Sequence, residues 1–187
     1  MANKDAPNGF RPVKTMSGAP VSGIIRTYGV ADGEDIFIGD MVNLESGLAD
    51  PMATGDAAIL GAVVGVGKVD ADGVPLGPYD PDNLNQRFYD DSASTHTEWV
   101  VYVAPANDCI YEVQTNADLD AVPGTAVDLV DGTGNSTTGR SIQEVGSSTN
   151  ADFQVVEIPH YPDNDNSLAN AVVWVIATPG ERAFADA

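Results

Sequence analysis

The stretch EWVVYVAPANDCIYEVQT, residues 98–115, decides the fold. In its first half Trp99, Val101 and Val103 alternate with Glu98, Val100 and Tyr102, the period-two pattern of a strand. PAND then makes a short turn, and CIYEVQT (109–115) follows as a second strand, so the two runs predict a β-hairpin. The same reading extends in both directions. IFIGDMVNL (36–44) puts Ile36, Ile38, Val42 and Leu44 on one face, with Asp40 beside Gly39 marking a bulge or corner. AILGAVVGV (58–66) is apolar on both faces and broken by Gly61 and Gly65, which predicts a bent, buried strand. AVDLV (126–130), SIQEV (141–145), FQVVEI (153–158) and AVVWVIA (171–177) are further short strands, the last one central because both its faces are apolar. No long helical pattern occurs; single turns are expected only near Pro81–Arg87 or Ala117–Asp120. The expectation is an all-β protein, a barrel or a sandwich.

Two segments stand outside this pattern. Residues 1–22 contain Pro7, Pro12 and Pro20 with Gly9 and Gly18 between them, and read as an extended N-terminal arm. Residues 67–97 form a 31-residue stretch with three prolines and little periodicity, a long irregular loop of a length usually reserved for function. The β body then covers 23–187, as one unit or as two β subdomains with that loop between them.

Composition narrows the function. Apolar residues make up 43%, ordinary for a globular chain. No run approaches the ~20 apolar residues of a membrane span, and MANKDAPNGF lacks the apolar core of a secretion signal. Cys109 is the one cysteine, so an internal disulfide is excluded, and its place in a strand reads as a small buried hydrophobe. The net charge of −20 argues against nucleic-acid binding by the body and favours an acidic outer surface.

The motifs that tempt a chemical reading weaken on inspection. GNSTTGRS (134–141) nearly matches a phosphate-binding loop, with Arg140 in place of lysine. That loop works only at the start of a helix, whereas SIQEVGSS alternates and meets Gly146, so a hairpin loop is expected. Of the acidic clusters DADG (70–73), YDPDN (79–83) and PDNDN (162–166), DADG has its Gly at the fourth position and PDNDN has no following Gly and no Glu at twelve, so they read as solvated turns. Asp90, Asp91, Ser92, Ser94, His96 and Glu98 crowd one segment without a nucleophile elbow, and His160, in IPHYP, reads as a strand-end or loop residue.

The charge distribution is the informative feature. The first 26 residues hold Lys4, Arg11, Lys14 and Arg26 against the single acid Asp5, a net +3. The other 161 residues hold four cations and 27 acids, a net −23. An extended strip of this kind can lie across an acidic or grooved neighbour. The expected contact set is Lys4, Phe10, Arg11, Val13, Lys14, Met16 and Arg26, with Tyr79, Phe88 and Tyr89 of the long loop as second contacts.

ANKDAPNGFRPV (2–13), GAPVSG (18–23), IFIGDMVNL and the Gly-rich AILGAVVGV also carry a resemblance. Their order resembles the small acidic head decoration, or cement, proteins of tailed bacteriophages. The likeness spans residues 2–66 and is one of layout beyond them. It implies a non-enzymatic all-β protein, made in the host cytoplasm and carried on the outer capsid surface of the virion. It implies homotrimers at three-fold or quasi-three-fold positions that bridge neighbouring major capsid proteins. No catalytic residue, cofactor, metal ion, direct nucleic-acid contact or membrane contact is expected. The alternative from another class is a receptor- or glycan-binding β domain of a virion, with an aromatic-lined outer loop and a dispensable arm. A carboxylate hydrolase is a distant third.

Overall fold

The two halves of 98–115 enter different sheets. The computed structural model describes residues 2–76 and 87–184. In chain order its strands are β1 (Arg11–Thr15), β2 (Arg26–Gly29), β3 (Met41–Glu45), β4 (Leu48–Pro51), β5 (Ile59–Lys68), β6 (Trp99–Pro105), β7 (Cys109–Gln114), β8 (Ala126–Val130), β9 (Glu144–Ser147), β10 (Phe153–Glu157) and β11 (Val172–Ala177). The five-stranded sheet has the order β2-β6-β5-β3-β4, and the six-stranded sheet the order β1-β7-β11-β10-β8-β9. All strand pairs within them are antiparallel. The protein is all-β, built from two packed sheets, and the described residues form no closed barrel.

The expected hairpin is therefore an arch, and the reason lies in burial. β6 is buried along almost its whole length, so it needs a strand on each side. The ten-residue β5 supplies one and β2 the other, pairing Val63 with Val103 and Tyr28 with Val101. With both edges of β6 taken, β7 turns away after Asp108 and faces it through side chains. The Tyr111 hydroxyl crosses the gap and donates to the Ala104 carbonyl at 2.7 Å. Gly61 permits the tight β5–β6 approach, because a Cβ there would lie 2.1 Å from the Ala104 oxygen. β11 is central to its sheet, between β7 and β10.

Two cores result. Met41, Ala62 and Ala104 of the five-stranded sheet meet Tyr111, Val113, Leu129, Phe153 and Val175 of the other. The outer face of the five-stranded sheet carries a second core, where Val42, Leu60, Val63, Val101 and Val103 pack with Val30, Ile36, Tyr89 and Trp99. Val30 bridges Ala49, so this sheet curls around that second core. Part of the expected irregular loop is consumed here. Ile36 and Tyr89 exchange backbone hydrogen bonds at 3.0 and 2.9 Å, and the Tyr89 ring sits 6.0 Å from Trp99.

The N-terminal strip is extended as expected, but it lies on its own chain. Asn3 binds the Asp165 backbone in both senses, at 2.8 and 2.9 Å. Gln114 accepts from Ala6 N at 3.1 Å and donates to Lys4 O at 2.6 Å. Phe10 N donates to Gly39 O at 2.8 Å, and the Phe10 ring, 1% exposed, packs against Phe153 at 5.0 Å and edge-on to Tyr111 at 6.3 Å. Gly9 (φ +65°) is required there, since a Cβ would come within 2.3 Å of Gly39 O. β1 follows as an edge strand, where Pro12 costs no ladder bond, and a register shift between Pro12 and Lys14 blunts the edge.

Phe10→Ala is expected to cost about 3–5 kcal/mol of unfolding free energy. Urea titration checks it; a loss below about 1 kcal/mol would mean the strip is not part of the cooperative unit.

Candidate partner-binding surface

The structure divides the expected contact residues into three groups. Phe10 and Tyr89, 1% and 0% exposed, are core residues of this chain, so they are corrected from contact residues to packing residues. A lone aromatic in a polar strip and one at the end of a loop both looked like anchors for a neighbour; each instead closes a core of the same molecule. Phe88 is half-buried and stacks on Phe37 at 4.6 Å, and Val13 is half-buried in β1. Tyr79 lies outside the described residues. Lys4, Arg11, Lys14 and Arg26 are exposed, and Met16 is 59% exposed.

Two of the exposed cations are already engaged. Arg11 pairs with Glu112, its register partner on β7. Glu112 also accepts from Tyr161 Oη at 2.6 Å and from Trp174 Nε1 at 3.1 Å. That bond to Glu112 holds the Tyr161 phenol above its usual pKa. Lys14 reaches Glu157 at 3.4 Å and lies over the Trp174 ring at 4.5 Å. These contacts join the strip to β7, β10 and β11 on the outer face of the six-stranded sheet.

Of the two left over, Arg26 lies elsewhere on β2, whereas Lys4 borders a cleft that Arg140 also lines. A cavity of about 630 Å³ runs between the strip and the body, lined by Lys4, Asn8, Arg11 and Arg140 at its polar edge. Ile38, Val64 and Val172, all half-buried, supply an apolar lining. Among the described residues neither Lys4 nor Arg140 has a carboxylate partner. The sequence reading missed Arg140 as a surface residue, because it stood in a stretch that resembled a phosphate loop. That stretch is a tight loop: Asn135 N donates to Arg140 O at 2.8 Å, and Asn135 Oδ1 accepts from Thr137 N at 3.0 Å and Thr138 N at 3.1 Å. Nothing local to Arg140 forecasts that it lines the same cleft as Lys4. The Ile38–Arg140 bridge and the docked strip bring the two together.

A second cavity, also of about 630 Å³, is acidic, lined by Glu34, Asp35, Asp40, Asp91 and Asp131. Asp40 is buried at the corner before β3. Its carboxylate accepts from Phe37 N at 2.7 Å. Burial pushes its pKa up to about 6, against the opposing hydrogen bonds from Ser141 and Phe37. His96 meets Asp32 at 3.2 Å. Asp70 and Asp165 cap their own turns, Asp70 accepting from Val74 N at 2.8 Å and Asp165 from Ser167 N at 3.1 Å. No group of three His, Cys, Asp or Glu residues is placed to hold a metal ion among the described residues.

Fold and surface together define an acidic two-sheet β protein with a cationic cleft under its N-terminal strip. No protein-family model matches the chain, and neither a curated protein nor a solved structure matches it.

Asp40 gives a prediction with a definite sign. Between the ordinary value of 3.8 and about 6, the folded chain binds more protons at Asp40 than the unfolded chain does. Its contribution to stability therefore falls as pH rises through that window and is flat on either side. The loss is on the order of 3 kcal/mol. Asp40→Asn removes the charge and keeps an acceptor for Phe37 N. The variant should gain on wild type as pH rises from about 4 to 7. Parallel urea-midpoint profiles for the two proteins would refute this.

Proposed function

We propose that this chain is a structural virion protein that binds the outer surface of a tailed-phage head and bridges neighbouring major capsid proteins. The observation that carries the reading is the charge asymmetry, +3 over the first 26 residues against −23 over the rest. The resemblance of residues 2–66 to cement proteins supports the same assignment. Lys4 and Met16 of the strip and Arg26 at the start of β2 are the exposed residues available to the shell. Cement works by mass action: a protein that binds the assembled lattice and not its dispersed parts stabilises the lattice. Trimers at three-fold positions multiply a modest interface by linked binding. The acidic remainder keeps decorated heads apart.

The mode of contact differs from a free arm that clamps. The strip is bound along its own body, so it presents cations on a preformed surface and loses little chain entropy on binding. A second reading, a glycan- or receptor-binding domain, draws on Trp174 and the exposed Tyr161 on the outer face of the six-stranded sheet. Aromatic faces of that kind are suited to apolar sugar faces.

Co-sedimentation with mature, undecorated heads of the encoding phage separates the two. Deleting residues 1–26 is the wrong variant, because it removes β1 and the buried Phe10. Lys4→Glu with Arg26→Glu leaves both in place. Wild type should pellet with heads at low salt, and the double variant should bind at least about tenfold more weakly while staying folded by circular dichroism. If folded wild type stays in the supernatant at every salt concentration, the capsid reading is wrong. Glycan binding that is abolished by Trp174→Ala would then establish the second.

A further inference from the structure

We propose that the cleft beneath the N-terminal strip is a binding site for a short, extended acidic polypeptide segment with interspersed aliphatic residues. Its volume, about 630 Å³, is that of an ordinary ligand site. Its edge carries Lys4, Arg11 and Arg140 against the one acid Glu112, which Arg11 already neutralises. In a chain of net charge −20 this is a concentrated patch of uncompensated positive charge. The lining adds Ile38, Val64 and Val172, half-buried aliphatic surface that an ion alone would not cover. Cations at the edge and aliphatic side chains below match a segment that alternates carboxylates with aliphatic residues, as an extended strand does.

The surroundings select the ligand class. A nucleic acid carries a charge every ~1.7 Å and would run out of the cleft onto acidic surface. A short acidic segment fits inside the local field, because at about 0.1 M salt charges beyond ~10 Å are largely screened. Preorganisation favours the site further. Gln114 fixes Lys4 O and Ala6 N, and the Gly9–Phe10 step is locked on Gly39, so the cleft wall is built before any partner arrives. Assigning the segment to the capsid protein rests on the reading above; the affinity of the cleft for an acidic peptide does not.

Fluorescence anisotropy of the full chain with a fluorescein-labelled peptide, Glu-Val-Glu-Val-Glu-Glu, tests this directly. Arg140→Gln and Lys4→Gln should each weaken binding about tenfold, the loss of one charge-assisted contact. Arg26→Gln, outside the cleft, should change it less than about twofold. Both cleft side chains are exposed and have no carboxylate partner among the described residues, so melting temperatures should be unchanged. The isosteric Gln-Val-Gln-Val-Gln-Gln peptide should not bind. The inference is overturned if the acidic peptide does not bind, if Arg140→Gln binds it as wild type does, or if the Gln peptide binds equally. It is also overturned if millimolar inorganic phosphate displaces the peptide, which would make the cleft a simple anion site. If wild type and Arg140→Gln pellet equally with heads and no peptide binds, the cleft fails while the capsid reading survives. If peptide binds with the stated pattern and heads are not bound, the reverse holds.

Discussion

The seat of Phe10 holds this molecule together. Its ring fills the space between Phe153 and Tyr111 in the six-stranded sheet, and its N–H binds Gly39 at the corner that leads into the five-stranded sheet. One residue thus ties the start of the chain to both halves of the body. Gly9 has to be a glycine for that seat to exist, since the backbone passes too close to Gly39 and Ser141 for any side chain. Everything that follows in the strip, from the register of β1 on β7 to the cleft wall, is set by where Phe10 is fixed.

That placement also governs the electrostatics. Docking the strip lays Arg11 on Glu112 and Lys14 across Glu157 and Trp174. Exposed pairs of this kind contribute modestly to stability. Their larger effect is on what remains. With two cations satisfied within the chain, Lys4 and Arg140, which have no carboxylate partner among the described residues, both line a cleft with aliphatic residues in its wall. A strip that looked like an arm for a partner becomes part of a preformed receptor surface. The cost of ordering it is met in folding, and binding need not supply it.

The acidic body bears a related cost. Asp40 is held in the interior at a corner whose backbone it satisfies, and its pKa is raised by burial. Asp128 shows the opposite balance. Burial pushes its pKa up, but donors from Thr149, Asn150 and Ser148 outweigh this and lower it, which fixes the turn between β9 and β10. Two carboxylates, one from each sheet system, thus carry opposite pH dependences, decided by the number of donors that surround each.

Much of the β character was legible in the residues. Alternation located the strands around Trp99–Ala104, Cys109–Gln114, Ala126–Val130 and Phe153–Glu157, and the two-sided apolar run at 171–177 pointed to a central place. Local pattern reports which faces of a strand are buried, and that is a property of the strand itself. Pairing is not. The runs at 98–104 and 109–115 read as a hairpin, yet β5 and β2 claim both edges of β6, and only the competition among all strands decides this. The same limit hid the partners of Phe10, of Tyr89 and of Arg140. Each lies in a segment without periodicity, and each is defined by contacts with residues far away in sequence. The sequence determined that the chain is β, acidic and basic at its start. The tertiary structure decided which cations are consumed and which face outward, because charge pairing depends on distance in space and not on order along the chain.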